Sequence, residues 1–244
     1  MKTELIEWYK EWFDTKYYHI LYNNRSNKEA ENFISNLILK LAIPEHACIW
    51  DLACGKGRHS IALNNLGFSV CGTDLSRESI QFASSYENDR LSFFELDMRS
   101  PFRVNYFDLV MNLFTSFGYF DKKTDDLKVL QSVSNSLKKN GLFVFDYLNP
   151  NCIHIDQEKV ILKEQVKFTI KKEKKDNKII KHIHVEDKGE HYDFNESVRL
   201  FQPGEIVEMA ELIQLKKIML FGDYELNTFD ANTSPRMIFV FQKQ

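Results

Sequence analysis

IWDLACGKGRHS, residues 49–60, is the stretch from which the rest of the chain is read. Its apolar run, Ile49, Trp50 and Leu52, has the composition of a buried strand and ends in a tight turn with two glycines, Gly55 and Gly57. The residues after the turn predict a helix. A strand, glycine turn and helix in that order can hold a polar or anionic group on backbone amides and the helix N-terminus. Glycine serves where the backbone approaches a ligand closely or takes positive φ. Two glycines are equally compatible with a plain strand-to-helix connection, so the flanking chain has to decide.

Upstream, residues 3–13 read as an amphipathic helix, with Leu5, Trp8, Trp12 and Phe13 near one face. Residues 17–25 then gather Tyr17, Tyr18, His19, Tyr22 and Arg25, a set that suits either a cover over a ligand or a helix packed on the core. Residues 27–41 form a stronger helix pattern, with Phe33, Leu37, Ile38 and Leu41 at helical spacing and Pro44 as its stop.

Downstream, apolar strands are expected at residues 47–52, 68–73, 91–96, 107–113 and 142–147. Helices fall between them. One spans 58–66 and ends at Gly67. One starts at Ser76 as N-cap with Glu78 in its first turn. One is capped by Thr124, carries Leu127, Leu130, Val133 and Leu137 on one stripe, and ends at Asn140-Gly141. Short apolar strands alternating with helices predict an α/β fold with a parallel sheet covered on both faces. Such sheets bind ligands at the carboxyl ends of their strands, where the strand order reverses.

After Asn149-Pro150 the pattern changes. Residues 159–172, 179–186 and 192–201 are β-rich, and residues 175–178 read as a hairpin tip. The segment is rich in lysine, but Glu164, Glu173 and Asp176 are interleaved, which favours solvated, edge-protecting lysines over a nucleic-acid surface. A helix at 204–215 and strands at 217–221 and 237–242 complete the chain. The expected organisation is one domain of 244 residues. It comprises an N-terminal helical cap (1–46), a ligand-binding core (47–150), an appended antiparallel sheet over the substrate side (151–202) and a final helix and strands of the core (203–244).

Composition narrows the class. Hydrophobic residues make up 43% and charged residues 27%, ordinary for a globular protein, and 20 Phe predict an aromatic core. A net charge of −3 disfavours the broad basic footprint of a non-specific nucleic-acid binder. Cys48, Cys54, Cys71 and Cys152 form no C-x-x-C pair and read as reduced thiols, which points to the cytoplasm. The charged N-terminus is unlike a signal peptide, no apolar run approaches the roughly 20 residues of a membrane span, and no Cys/His cluster has metal-ligand spacing.

Asp51, Asp74 and Asp97 stand at the carboxyl ends of successive strands. Asp74 fits the acid expected roughly 20 residues after a glycine turn, where it accepts from both ribose hydroxyls. Asp97 is placed to accept from an adenine amino group, with Met98 beside the ring. Any one of them alone would read as a cap or turn residue, whereas three at consecutive strand ends describe a nucleoside site. A dinucleotide fingerprint needs a third glycine where Ser60 stands. A P-loop needs G-K-[ST] where Gly57-Arg58-His59 stands. A ligand with an amino-acid end and no phosphate fits better. Asp51 would orient its ammonium group and the turn amides its carboxylate.

DLACGKG, GTDLS, LDMRSPF and FDLVMNLFTSFGYF, in that order, resemble the successive motifs of class I S-adenosylmethionine (SAM)-dependent methyltransferases. The resemblance covers residues 49–150 and is most similar to small-molecule enzymes, among them the amino-sugar N-methyltransferases. It implies a Rossmann-like, seven-stranded, mostly parallel sheet whose last strand is antiparallel. It also implies SAM as methyl donor and S-adenosylhomocysteine as product. Residue by residue, it implies that Asp51 and Gly55 contact the methionine end, with Ala53, Cys54 and Gly57 of the same turn also cofactor-binding. Asp74 would take the ribose and Asp97 with Met98 the adenine, Asn112, Leu113 and Phe114 would supply main-chain contacts beside the sulfonium, and Leu75 would also be cofactor-binding. Tyr22 and Arg25 are candidates for further carboxylate contacts.

Methyl transfer from a sulfonium is an in-line displacement on an activated carbon, so positioning does most of the work. A general base is needed only for a nucleophile that must lose a proton. Candidates are Ser116, Tyr119, Asp146 and Tyr147 at the fourth and fifth strand ends, and His182, His184, His191 and Arg199 in the appended sheet. Ser116, Tyr119 and Arg199 are singled out as catalytic. The Asn/Asp-Pro-Pro-aromatic motif of DNA enzymes is absent after the fourth strand, where the chain reads NLFTSFGYF. The favoured reading is methylation of N or O on a small molecule. Its rivals are an RNA- or protein-directed methyltransferase, a non-catalytic SAM-binding module and an NAD-dependent oxidoreductase. An exposed hairpin edge could also pair two copies as a homodimer.

Overall fold

A computed structural model describes residues 7–23, 27–155 and 158–244. Its helices are α1 Trp8–Trp12, α2 Lys16–Tyr22, α3 Asn27–Leu41, α4 Arg58–Asn65, α5 Arg77–Ala83, α6 Lys123–Ser136 and α7 Pro203–Glu211. Its first strands are β1 Cys48–Leu52, β2 Ser69–Asp74, β3 Leu91–Glu95, β4 Phe107–Asn112 and β5 Leu137–Leu148. Then come β6 Lys159–Lys163, β7 Val166–Lys175, β8 Lys178–Asp187, β9 Glu190–Arg199, β10 Leu215–Phe221 and β11 Arg236–Lys243. The chain divides into two compact units, residues 26–153 with 201–244, and residues 1–25 with 154–200.

The larger unit is built on a seven-stranded sheet in the order β10-β11-β5-β4-β1-β2-β3. β1 to β5 run parallel, and β11 inserts antiparallel to both β5 and β10. The chain moves outward from β1 to β3 and then returns to place β4 on the other side of β1. That reversal puts the ligand crevice of an open α/β sheet at the carboxyl ends of β1 and β4.

The 20 Phe explain much of the packing. Alternation sends Phe143, Phe145 and Tyr147 of β5 to one face, beside Phe239 and Phe241 of β11. Their rings stack at 5.5–5.6 Å along each strand, and Phe117 meets Phe145 edge-on at 5.0 Å. The opposite face carries Val144, Ile238 and Val240, covered by Phe33, Ile34 and Leu37 of α3 and Leu63 of α4. α3 therefore packs on the larger sheet, whereas the sequence division grouped it with the two helices before it.

The smaller unit is a four-stranded antiparallel sheet, β6-β7-β8-β9. Trp12 of α1 and Tyr17 and Leu21 of α2 pack with Phe168, Ile183 and Val185 of this sheet. Each hairpin turns on two residues of positive φ: Glu164-Gln165, Asp176-Asn177 and Lys188-Gly189. Two-residue turns of this hand match the right-handed twist of paired strands.

Several local expectations are corrected. The stretch 159–172 is two strands, because Glu164 and Gln165 turn the chain. Thr124 lies inside α6, whose N-cap is Lys122, so it does not cap the helix. α6 ends at Ser136, not at Asn140-Gly141, and Leu137 begins β5 instead of closing a helical stripe. α1 is shorter than residues 3–13, and residues 3–6 lie outside the described residues. α7 begins at Pro203 with the Gln202 amide bound to the Glu205 carboxylate at 3.0 Å. Ser76 caps α5 as expected, its hydroxyl accepting from the Ser79 amide at 3.1 Å.

Candidate functional site

The glycine turn after β1 reverses through three left-handed residues, Ala53 (φ 59°), Gly55 (φ 55°) and Gly57 (φ 77°). At Gly57 a Cβ would also lie 2.7 Å from the Phe93 ring, so the position has room only for glycine. At Gly55 a Cβ would meet no protein atom within 4 Å, so glycine there leaves open space over the turn. The turn is tied to the end of β2. The Cys54 amide donates to the Thr73 carbonyl at 2.9 Å, and the Gly55 amide donates to the Asp74 carboxylate at 2.8 Å. The other oxygen of Asp74 accepts from the Ser76 amide at 2.8 Å. Each carboxylate oxygen has two lone pairs, so these amides orient Asp74 without exhausting it as an acceptor.

Asp51 is 1% exposed and accepts a 2.6 Å hydrogen bond from the Ser60 hydroxyl on α4. Burial pushes its carboxyl up to about 6, against the opposing pull of the Ser60 hydroxyl and amide. Burial likewise raises the Cys54 thiol well above its ordinary value, which keeps it a small packed side chain and not a thiolate.

The end of β4 closes the other side of the crevice. Asn112 is 1% exposed, and its amide group donates to the carbonyls of Leu52 at 3.1 Å and Ser116 at 3.2 Å. Its own carbonyl oxygen is buried and accepts no hydrogen bond from the described residues. Beyond it, Phe114 (φ 59°) and Thr115 (φ 65°) are successive left-handed residues. The Phe114 ring stacks with His59, at 5.1 Å, and with Tyr224, at 4.9 Å, and the Arg58 guanidinium lies 4.7 Å from its centre. A cavity of about 520 Å³ is lined by Lys28, Asn32, Phe33 and Asn36 of α3 together with Tyr224 and Glu225.

Asp51, Gly55, Gly57, Asp74, Asn112, Leu113 and Phe114 thus converge on the carboxyl ends of β1, β2 and β4, with Ala53, Cys54 and Leu75 in the same turns. Asp97 and Met98 follow β3, where Asp97 forms a two-oxygen ion pair with Arg99 at 2.5–3.1 Å. The Ser116 hydroxyl donates to the Leu113 carbonyl at 2.9 Å and the Tyr119 hydroxyl to the Thr115 carbonyl at 2.6 Å. Tyr22 and Arg199 belong to the smaller unit. There the Tyr22 hydroxyl donates to Glu196 at 2.7 Å, and Arg199 pairs with Lys178 in the β8–β9 register. Arg25 lies outside the described residues.

Residues 50–145 match the family model for a methyltransferase domain. The donor set fits SAM: buried Asp51 for a cationic amine, Asp74 for ribose hydroxyls, and the open space at Gly55 for close approach of the ligand. Over residues 50–145 the chain is similar to a methyltransferase domain. Among relatives, the chain is 36% identical over 111 residues to YqeM of Bacillus subtilis (strain 168), a chain named as a methyltransferase, covering 44% of this chain and 45% of that one. It is 31% identical over 159 residues to the glycine/sarcosine N-methyltransferase of Aphanothece halophytica, covering 62% and 57%. The chain therefore spans about half the length of the curated relatives it matches. In fold, the chain is similar to SAM-bound CalS10, an amino pentose methyltransferase from Micromonospora echinaspora. The TM-score is 0.70 at 18% identity over 94% of this chain and 98% of that one.

Sequence reasoning missed four participants. Ser60 entered only as a missing glycine, and Arg99, Tyr224 and Arg236 did not enter at all. One signal was available. Asp146 is a lone acid inside the apolar run LFVFDYL, and a buried acid requires a partner. That partner is Arg236, at 2.7 Å. With its carboxylate fully buried and ion-paired, Asp146 is spent as an anchor, which removes it from the candidate bases.

Proposed function

We propose that this chain transfers the methyl group of SAM to a nitrogen or oxygen atom of a small-molecule acceptor. The observation that carries the reading is the convergence of Asp51, Asp74 and the Gly55 turn at the strand-order reversal. An amino nitrogen is the favoured acceptor atom, because the glycine/sarcosine and amino pentose enzymes to which the chain is similar are named for amine-bearing substrates.

SAM supplies an activated methyl group when bound. Asp74 would hold the ribose hydroxyls and Asp97 the adenine amino group. Asp51 would hold the ammonium, and the amides of the 53–57 turn the carboxylate. Asn112 to Phe114 would border the methyl, and the rings of Phe114 and Tyr224 would keep water from that side. A neutral amine needs no base before attack, only a proton acceptor afterwards. Ser116 and Tyr119 sit on the same loop as Phe114 and are the candidates to orient such an acceptor. Holding the nucleophile in line at roughly 3 Å accounts for most of the rate. The four cysteines are free thiols, which fits a reducing compartment such as the cytoplasm. Among the described residues, no helix is long and apolar enough to cross a membrane.

The test is turnover. The protein is incubated with SAM and, separately, with panels of small amines, hydroxylated amines, bulk RNA and protein extract, and S-adenosylhomocysteine release is measured by mass spectrometry. Release driven by a small amine or hydroxyl compound supports the reading. Release driven only by RNA or protein overturns it, and SAM binding without release on any acceptor would favour a non-catalytic module.

A further inference from the structure

We infer that Arg236 is a positioning residue for methyl transfer, acting with Asp146 to hold the Phe114–Thr115 turn in the shape that receives the methyl donor. The inference rests on the proposed reading of the site and extends it to a residue on the last strand.

A left-handed conformation is costly for any residue with a Cβ, more so for β-branched Thr115, and two in succession persist only where the surroundings impose them. Here the surroundings are specific. The Phe114 amide donates to one Asp146 carboxylate oxygen at 2.7 Å, and the Thr115 amide donates to the Asp146 carbonyl at 3.1 Å. The other carboxylate oxygen accepts from Arg236 Nε at 2.8 Å and Nη2 at 2.7 Å, and the same Nη2 donates to the Thr115 hydroxyl at 2.7 Å. Arg236 therefore clamps the turn twice, through Asp146 and through Thr115. Its fork can do this because guanidinium donors lie in fixed relative directions, which an ammonium cannot reproduce.

The same carboxylate reaches the aromatic wall. Tyr224 donates its hydroxyl at 3.1 Å to the Asp146 oxygen that holds the Phe114 amide, and its ring stacks on Phe114. Asp146 and Arg236 are diagonal neighbours across the β5–β11 ladder, with Arg236 opposite Leu148 and Asp146 opposite Ile238. The alternation of both strands sends them to the face covered by α3 and α4, away from the Phe143–Phe145–Tyr147 layer. The pair thus anchors the β4 loop to the sheet.

The test is a double-mutant cycle read by calorimetric titration with S-adenosylhomocysteine. Arg236→Lys keeps a charge for Asp146 but gives up the fork. Thr115→Val removes the hydroxyl and leaves the ion pair intact, so it remains informative even if Arg236→Lys folds poorly. Each single variant is expected to bind about tenfold more weakly, and the double variant no more weakly than the worse single, because both remove one shared contact. Thermal midpoints are recorded alongside. Wild-type affinity in either single variant overturns the inference. So does a double variant whose loss is the product of the two, which would mean independent packing effects. Failure of the wild-type protein to bind S-adenosylhomocysteine would instead overturn the reading of the site, and this inference with it.

Discussion

The Ser60 hydroxyl donates to the Asp51 carboxylate at 2.6 Å, with both side chains buried. The residue that breaks a dinucleotide fingerprint is therefore the one that steadies the acid at the end of β1. A third glycine would have left that carboxylate buried without its hydroxyl partner, at a cost of about 1–3 kcal/mol or more for a charged group.

The pair makes a pH prediction. Folding raises the Asp51 carboxyl from its ordinary 3.8 to about 6. Its contribution to stability is fully present below 3.8 and is lost as pH rises through about 6, because the ionised form is the one that burial penalises. Asp51→Asn should not lower the thermal midpoint near pH 7.5, and it should flatten the stability profile between about pH 4 and 6. A clear loss of stability at neutral pH would contradict this.

Ligand affinity should move the other way. A cationic amine at Asp51 requires the carboxylate, so S-adenosylhomocysteine should bind progressively more weakly as pH falls below about 6, approaching tenfold per unit. Ser60→Ala removes a hydrogen bond that favours the charged form and should shift this midpoint to higher pH. Calorimetry across the range measures both, and a flat affinity profile would remove Asp51 from the binding site.

Asp97 is bound to Arg99, both partly exposed, so the pair itself contributes little to stability, about 1 kcal/mol or less. Its proposed value is recognition of the adenine amino group. Asp97→Ala should weaken S-adenosylhomocysteine about tenfold and leave S-inosylhomocysteine, which lacks that amino group, nearly unchanged. Equal losses for the two ligands would assign Asp97 to loop structure alone.

Phe145 is 1% exposed within the β5–β11 aromatic layer. Phe145→Ala should cost about 3–5 kcal/mol of stability, measured by denaturant unfolding. A cost below about 1 kcal/mol would mean that the layer is not a packed core.

Much of the fold was legible because a doubly covered parallel sheet writes its strands as short continuous apolar runs. Leu109, Val110 and Met111 of β4 show this, each fully buried. The acidic strand ends were legible because their spacing follows the βα repeat. What was not legible depends on contacts between distant segments. Nothing near Thr115 announces Arg236, 121 positions away, and nothing near Asp97 shows that Arg99 folds back on it. Glu164-Gln165 was passed over because neither residue is the usual glycine or asparagine of a tight hairpin, and strand pairing overrode that preference.

The central claim is that the turn at residues 53–57 and the acid at the end of β2 together hold SAM. Titration of the protein with S-adenosylhomocysteine in a calorimeter, alongside Asp74→Ala, tests it most directly. Asp74 anchors the Gly55 and Ser76 amides and is assigned to the ribose, so saturable 1:1 binding by the wild-type protein and a loss of about a hundredfold or more in the variant are expected. Equal affinity in the two proteins, or no binding by the wild type, would contradict the account.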